Sequence, residues 1–390
     1  MANKKDNHLF VNWIDGMKIN KTHFIESNFA AIQYATNIGK SHVRPNAYGL
    51  LPIRSENDSA VDIQLSLDGQ NTIVAQLNNC IAITSGGTFI EINAEVQKLL
   101  QQHGNFNTIR TNFNFDANDD GLQFYIVLGV RQFERVGAGE TVAEENPPRH
   151  PYTLPKYTLG IIANEELENS SLGANFITIG KIRITNGAPQ LLFDYIPPCT
   201  SLRSHQDLSY IYTEIGVFFT SVEKYSLQVI QKIFQKKQTN DLAGMVLTIC
   251  QNTLNYLSGV LPTYIADGKN QPPLQLILNL MSLARVIKNN IDTYKGTGKE
   301  ELINYLTSWS ESTQGDFEKV LEDIIHLEYK HYDLNLSLDV VSQFSKIILA
   351  LFKKLDDLDY IGQKTDSNIF VKEEVVAKQE IKERRSFLLD

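Results

Sequence analysis

The chain has few cysteines and no excess of basic residues, and each shortage argues against a class of function. Three cysteines, Cys80, Cys199 and Cys250, lie far apart among 390 residues. This odd, irregular set fits neither a disulfide framework nor a paired-cysteine zinc site. Lys and Arg number 36 against 45 Asp and Glu, which gives a formal charge of −9. Because such a chain without a basic stretch repels phosphates, nucleic acid is not an expected partner.

Long apolar runs are also missing. The most continuous ones, residues 347–352 and 124–130, are far shorter than the roughly 20 residues that a membrane-spanning helix needs, so we expect no membrane insertion. The opening residues 1–8 have no apolar core and therefore predict no secretory signal. With 42% apolar and 21% charged residues, the composition is that of an ordinary folded protein, which we expect in the cytoplasm.

No motif for metal binding is complete. Residues 116–121 match the first half of a calcium-binding loop, with Gly121 in its glycine position, but Val127 stands where the loop needs a bidentate Glu. The strand-like flanks predict a polar hairpin turn instead. His326 and His331 are five residues apart, about 140° around a helix, so they diverge, unlike the histidines of a zinc-protease helix. We interpret them as surface histidines of a bundle helix.

Motifs for catalysis and nucleotide binding are missing as well. Gly86-Gly87 lacks the Lys-Ser/Thr ending of a phosphate loop, and no Gly-x-Ser-x-Gly nucleophile elbow occurs. A Ser–His–Asp or paired-carboxylate site assembled from distant residues would leave no local motif, so a hydrolase stays open as a third interpretation. We expect no enzyme, no cofactor and no metal.

The first half of the chain carries the pattern of antiparallel strands. Val61–Leu67 alternates apolar and polar side chains, and residues 123–131 and 176–184 are rich in β-branched and aromatic residues. Turn-forming residues separate these segments. The pattern predicts a β-sandwich or barrel. One helix is expected early in the chain, after Thr22 as its cap, and a shorter one at residues 95–102.

The second half carries the pattern of helices. Seven apolar residues follow one another at spacings of three and four, which is the heptad seam of a bundle or coiled-coil helix: Leu208, Ile211, Ile215, Phe218, Val222, Tyr225 and Val229. Such a seam packs either inside one helical bundle or around the axis of a trimer. Further helices are predicted at residues 242–257, 274–291, 300–309, 317–331 and 338–359.

The segment from Val11 to Phe24 carries the first of two specific motifs. Its order of Trp, acidic-Gly-Met, aliphatic residue and His-Phe resembles the opening of the TssK family, the trimeric baseplate adaptors of the bacterial type VI secretion system. Lys21 and Thr22 depart from the pattern, since the family usually has Pro-Gln there. The residues in matching register are Trp13, Asp15, Gly16, Met17, Ile19, His23 and Phe24.

The second motif lies where the composition changes. Tyr195, Pro197, Pro198 and Cys199 resemble the family's Tyr-x-Pro-Pro-Cys joint between a β domain and the first bundle helix. A pair of prolines fixes backbone φ and suits a rigid corner. With a weaker similarity around residues 261–276, the resemblance extends over residues 8–360.

The resemblance implies an α+β multidomain fold. Residues 1–198 would form an antiparallel β-sandwich shell, related to the shoulder of phage receptor-binding proteins, and residues 199–361 a helical bundle. It also implies a homotrimer whose shells bind the TssF–TssG wedge and which connects that wedge to the membrane-anchoring complex. The family usually ends in a small head domain. Residues 362–390 are a charged tail without strand pattern, so we expect a shortened, Bacteroidota-like form that lacks the head.

Three alternatives remain open from the sequence. A phage-type receptor-binding or carbohydrate-binding β protein would share the shell fold. Trp13, Met17 and Phe24 are either core residues, the default for such side chains, or anchors for a wedge protein, whereas His23 is interpreted as structural. The charged tail is either a solvated end or a segment that recruits a partner.

Overall fold

The computed structural model describes residues 7–52, 59–68, 71–101, 109–115, 119–169, 173–307 and 314–362. The chain divides into two compact units. The first contains the chain up to Asp207 together with the short segment Lys330–Asn335, and the second contains Leu208–Tyr329 and the chain from Leu336 onward. Antiparallel sheets build the first unit and helices the second, which confirms the predicted α+β class.

The first sheet is organised around its long central strand, β3 (Thr72–Ile83). The other four strands all pair with it antiparallel. Ile73, Ala75 and Leu77 of β3 are fully buried, because alternate side chains of a strand point to the same face. The four partners are β1 (Gly49–Leu50), β2 (Val61–Leu67), β4 (Phe89–Ile92) and β5 (Arg110–Asn114), so the strand predicted at residues 61–67 is confirmed.

The second sheet has the order β7-β6-β8-β9. Its strands are β6 (Gln123–Ala138), β7 (Tyr152–Ala163), β8 (Phe176–Thr185) and β9 (Ala188–Leu191). The two sheets lie face to face. The rings of Phe113 on β5 and Phe124 on β6 are 5.0 Å apart, and a Cβ added at Gly180 on β8 would come within 2.9 Å of the Ile63 side chain on β2.

The connection from β5 to β6 differs from the prediction. Its flanks are strands, as expected, but they pair in different sheets, so the predicted hairpin turn is wrong and the segment crosses between sheets. Asp120 accepts a hydrogen bond from the Gly187 N–H at 3.3 Å, and the Gly121 N–H donates to Ile184 O at 2.9 Å. These bonds tie the crossing to the β8–β9 turn. Residues 116–118 of the calcium-like sequence lie outside the described residues.

Three helices accompany the sheets: α1 (Lys21–His42), α2 (Ala94–Gln101) and α3 (Asn164–Asn169). The cap of α1 is Asn20, so the predicted Thr22 cap is wrong. The Asn20 side chain accepts from the Thr22 N–H at 2.9 Å and from the His23 N–H at 3.4 Å, and His23 Nδ1 accepts from the Asn20 N–H. Asn is among the strongest N-cap residues, which explains the start of the helix one residue before Thr22.

The described residues of the second unit form six α-helices: α4 (Gln206–Gln235), α5 (Asp241–Asp267), α6 (Pro273–Asp292), α7 (Thr297–Thr307), α8 (Gln314–Ile325) and α9 (Asn335–Asp357). Helix α5 runs ten residues beyond its predicted end and contains Pro262. The continuation is held by Tyr264, whose ring stacks on Tyr212 of α4 at 4.6 Å. The two tyrosines also exchange hydrogen bonds, because each hydroxyl donates to the other residue's carbonyl oxygen.

Helix α8 ends earlier than predicted, at Ile325. The interpretation of His326 and His331 as a pair of surface histidines on that helix is therefore wrong for His331. His331 is buried in the first unit, where its Nε2 lies 2.9 Å from Tyr48 O and its ring meets the Tyr48 ring edge-on at 4.6 Å. The segment Lys330–Asn335, which follows the end of α8, belongs to the first unit.

Helix α9 is the only helix in the described part of the chain that is long and apolar enough to cross a membrane by length and composition. Its apolar stripe, which includes Val341, Phe344, Ile348 and Phe352, is buried inside the second unit. The rings of Phe344 and Phe218 of α4 are 6.3 Å apart. This is the arrangement of a core helix in a bundle.

Candidate partner-binding surface

The N-terminal segment, residues 7–20, has no regular secondary structure and lies along α1. The His8 N–H donates to Gln33 Oε1 at 2.7 Å. The His8 ring is 5.0 Å from the Phe29 ring of α1 and 4.3 Å from the Phe133 ring of β6. This three-ring contact fixes the start of the segment on the first unit.

The residues of the first motif form an exposed aromatic cluster. The Trp13 ring lies 6.0 Å from the Phe24 ring and 6.2 Å from the His23 ring. Trp13 is 48% exposed and Phe24 is 57% exposed, so neither side chain belongs to the core of the chain. His23 has the structural role expected of it, because it completes the capping box of α1 with Asn20.

The acidic-Gly-Met triplet forms a tight turn before α1. Gly16 has a φ of +77°, a conformation that favours glycine, and the Met17 N–H donates to Ile14 O at 3.2 Å. The turn leaves Asp15 and Ile19 exposed and Met17 half-buried. Asp15, Gly16, Met17 and Ile19 therefore lie in the segment of chain that connects Trp13 to the start of α1.

The structure adds several exposed apolar residues that the motif did not include. The rings of Phe10 and Tyr34, for example, are 6.3 Å apart. We call the whole set the N-terminal apolar surface: Leu9, Phe10, Trp13, Ile14, Ile19, Phe24, Ile25, Tyr34 and Ile38. Large exposed apolar patches are a general mark of interaction sites, so we take this surface as the candidate site. The sequence held a signal for it, since apolar residues occupy more than one face of α1.

Helix α1, which bears part of this surface, packs closely against the first sheet. Its Gly39 lies against Gly87, and a Cβ at Gly39 would collide with the Gly87 carbonyl oxygen. One turn earlier, the Thr36 hydroxyl donates to Gln132 Oε1 of β6 at 2.7 Å. Because these contacts fix the inner side of α1, the position of its exposed apolar side chains is also fixed.

The four residues of the second motif are all buried: Tyr195, Pro197, Pro198 and Cys199. The Pro198 carbonyl accepts a hydrogen bond from the Leu50 N–H at 2.7 Å. Cys199 and Leu50 form an isolated parallel β-bridge. Burial raises the pKa of the Cys199 thiol, so this cysteine is not a reactive thiolate. The motif is architectural, and it ties the end of the β domain to β1.

A second stretch of chain, Lys330–Asn335, contacts this motif, although no pattern in the sequence indicated it. The Asn335 side chain accepts from the Ile196 N–H at 2.9 Å and donates to Asp194 O at 2.6 Å. The Tyr195 hydroxyl donates to Tyr332 O at 2.5 Å. Residues far apart in sequence thus meet at the motif, and periodicity or spacing cannot reveal such contacts.

The same stretch supplies a buried ion pair. Asp333 Oδ2 lies 2.6 Å from Lys181 Nζ and accepts a hydrogen bond from the Tyr125 hydroxyl, also at 2.6 Å. Burial and the adjacent Asp333 carboxylate raise the pKa of Tyr125, so the phenol stays protonated and donates. Both contacts are made by Asp333 Oδ2, and the three groups form a buried structural cluster.

In the described ranges, no group of three or more His, Cys, Asp or Glu side chains could hold a metal ion. Of the two histidines that resembled a metal motif, His326 is exposed on the second unit and His331 is buried in the first. The strongly perturbed tyrosines and cysteines owe their raised pKa values first to burial.

The heptad seam of α4 is used within the chain. Six of its seven residues are buried, namely Leu208, Ile211, Ile215, Phe218, Val222 and Val229, and Tyr225 is half-buried. Side chains already covered by neighbouring helices are not available to another copy. Packing inside one bundle therefore accounts for this seam.

Comparison with known proteins gives one consistent likeness. No protein-family model and no curated protein matches the chain. Among the solved structures that it matches are TssK and baseplate complexes of the type VI secretion system. A TssK crystal structure is 15% identical over 88% of this chain and 68% of its own, with a TM-score of 0.43.

Two larger assemblies also contain a matching chain. One is the TssK-TssF-TssG baseplate subcomplex of the type VI secretion system, at 14% identity over 90% of this chain and 99% of that chain, with a TM-score of 0.44. The other is a type VI baseplate complex, at 13% identity over 90% and 99%, with a TM-score of 0.48.

Proposed function

We propose that this chain is a TssK-type adaptor of a type VI secretion baseplate. In this role it has no enzymatic activity. It forms a homotrimer at the cytoplasmic face of the membrane, binds the TssF–TssG wedge through the N-terminal apolar surface, and links the wedge to a membrane-anchoring complex. The two sequence motifs and the order of a β unit followed by a helical unit support the family assignment.

The observation that carries the proposal is the exposure of the motif aromatics. A Trp and a Phe that served only the core would be buried, yet Trp13 and Phe24 face solvent side by side. Large aromatic side chains in such clusters supply most of the binding energy of protein interfaces. A surface of this kind fits an apolar segment of a partner protein. The resemblance implies that this partner is one of the wedge proteins.

The support beneath the surface fits the same role. Protein interfaces bind more tightly when the binding groups are held in place before the partner arrives. Helix α1 is fixed by the Gly39–Gly87 contact and by the Thr36–Gln132 hydrogen bond. The N-terminal segment is fixed by the His8 ring. The anchors therefore need little ordering when a wedge protein binds.

The proposals of a trimer and of a link to the membrane complex depend on the resemblance alone. The described residues include no head domain, and the partner that would bridge to the membrane is an anchoring protein of the same system.

Co-expression of the full chain with the TssF and TssG proteins of the same genome tests the proposal. We expect all three to co-purify as one complex through gel filtration in 0.15 M and 0.5 M NaCl, because apolar contacts are insensitive to salt screening. Failure to form this complex, together with binding to an immobilised glycan panel, would instead identify a carbohydrate-binding β protein.

A further inference from the structure

Strand β6 contains a bulge at the place where the N-terminal segment meets the sheet. Arg131 of β6 pairs with Lys156 of β7, and the next paired residue, Arg135, stands opposite Pro155. Three residues, Gln132–Glu134, are therefore inserted between two consecutive positions of the partner strand. Proline has no N–H to donate to a neighbouring strand, which favours an interruption of the ladder there. A bulge redirects side chains away from the regular strand pattern.

The first two residues of the bulge contact different parts of the N-terminal apolar surface. Gln132 Oε1 accepts a hydrogen bond from the Thr36 hydroxyl of α1 at 2.7 Å. The Phe133 ring lies 4.3 Å from the His8 ring and 5.4 Å from the Phe29 ring of α1. One local feature of β6 therefore holds both the helix and the segment that precedes it.

The N-terminal segment has few buried attachments. Among residues 7–20, His8, Val11 and Met17 are half-buried and the other eleven residues are exposed. A segment with so few buried contacts is held in place by those few. The His8 contact fixes the end of the segment that is furthest from α1 in sequence, and Trp13 lies between that end and the helix. The position of Trp13 therefore depends on the His8 contact.

Opposing contributions leave the His8 contact only modestly stable. The two ring contacts, with Phe29 and Phe133, favour it, as aromatic pairs do in general. Against them, His8 Nε2 is buried and has no hydrogen-bond partner among the described residues, and an unpaired buried polar atom opposes burial. Removal of one of the two rings should therefore change the contact from mostly closed to mostly open.

We propose that Phe133 is a positioning residue of the binding surface. Its ring holds His8, and through His8 the N-terminal segment, so that Trp13 stays beside Phe24 before a partner arrives. Phe133 acts without touching the partner, because the affinity falls with the fraction of molecules whose segment is in place. The effect on partner binding rests on the proposed function, whereas the ordering of the segment is a property of the free chain.

The fluorescence anisotropy decay of Trp13 tests the ordering in the free, full-length chain. Because the chain has two tryptophans, all variants carry Trp309→Phe. Phe133→Ala should increase the amplitude of the nanosecond decay, and Phe133→Tyr, which keeps the ring, should not. The matched control is Phe113→Ala, which removes another half-buried ring of the same unit, one that packs on Phe124, and it should leave the decay unchanged. An unchanged decay in Phe133→Ala, folded by circular dichroism, would overturn the inference.

Affinity for a purified TssF–TssG complex tests the consequence for binding. Phe133→Ala and His8→Ala should each weaken binding by about tenfold, as expected when about a tenth of the molecules keep the segment in place. The double variant should bind as tightly as either single variant, because both changes open the same contact. Additive losses, or wild-type affinity in both folded single variants, would overturn the inference. A wild-type chain that does not bind the complex would overturn the proposed function instead, and the anisotropy decay would still decide the role of Phe133.

Discussion

Lys181 and Asp333 form a buried ion pair of 2.6 Å although 152 residues separate them in the chain. Lys181 belongs to strand β8, and Asp333 lies in the segment between α8 and α9. That segment is part of the first unit, where Tyr125 also donates to Asp333. The cohesion of the β unit therefore depends on residues that follow most of the helical region in sequence.

Removal of one member of this pair should destabilise the first unit strongly. Asp333→Ala leaves the Lys181 ammonium buried without its counter-ion, a change that costs about 3–5 kcal/mol in buried pairs. Urea unfolding of the full chain, followed by hydrogen exchange of β6 and β8, measures the effect. The exposed pair Arg131–Glu134 offers a control, since Glu134→Ala should leave the midpoint unchanged. The triple variant Lys181→Met, Asp333→Leu, Tyr125→Phe also removes the hydroxyl that donates to Asp333 and should recover most of the loss. A triple variant as unstable as Asp333→Ala would contradict this account.

His331 predicts a loss of stability on acidification. Burial lowers its pKa to about 4, whereas the unfolded chain binds the same proton at about 6.5. Because the unfolded state takes up the proton first, the free energy of unfolding is unaffected above pH 6.5 and falls as the pH drops towards 4, by about 3 kcal/mol in total.

Urea titrations at pH 7 and pH 5 measure this dependence. His331→Gln should flatten the difference between the two pH values, and the exposed His326→Gln should keep it. A wild-type difference that survives His331→Gln unchanged would assign the acid sensitivity to another group.

Two glycines in helices should respond to alanine in opposite directions. Gly39→Ala places a methyl group against the Gly87 carbonyl, so α1 must move and the first unit should be destabilised. Gly259→Ala in α5 meets open space and should stabilise the second unit by up to about 1 kcal/mol, the helix propensity gained. Thermal unfolding measures both. Stabilisation by Gly39→Ala would show that α1 is not packed as described.

The sequence predicted those parts of the fold that depend on local patterns. The alternation in Val61–Leu67 and the heptad seam from Leu208 identified a strand and a buried helix face, since each follows the period of its own element. The Lys330–Asn335 segment escaped because its partners, such as Lys181, are distant in sequence. The β5–β6 crossing was mistaken for a hairpin because a turn sequence does not reveal which sheet the next strand joins.

The candidate surface was predicted only in part, for a related reason. The motif located Trp13 and Phe24, but composition alone could not distinguish an exposed anchor from a core residue. Phe10 and Tyr34 belong to no motif, and their ring contact depends on how the N-terminal segment lies along α1.

The central claim is that the exposed aromatic cluster binds the wedge, and the affinity of purified full-length chain for a TssF–TssG complex tests it most directly. Trp13→Ala and Phe24→Ala should each weaken binding by about tenfold or more, as expected for aromatic anchors, with circular dichroism and light scattering unchanged. Tyr152→Ala, an exposed aromatic elsewhere in the same unit, should bind like the wild type. Wild-type affinity in the two motif variants would contradict the account.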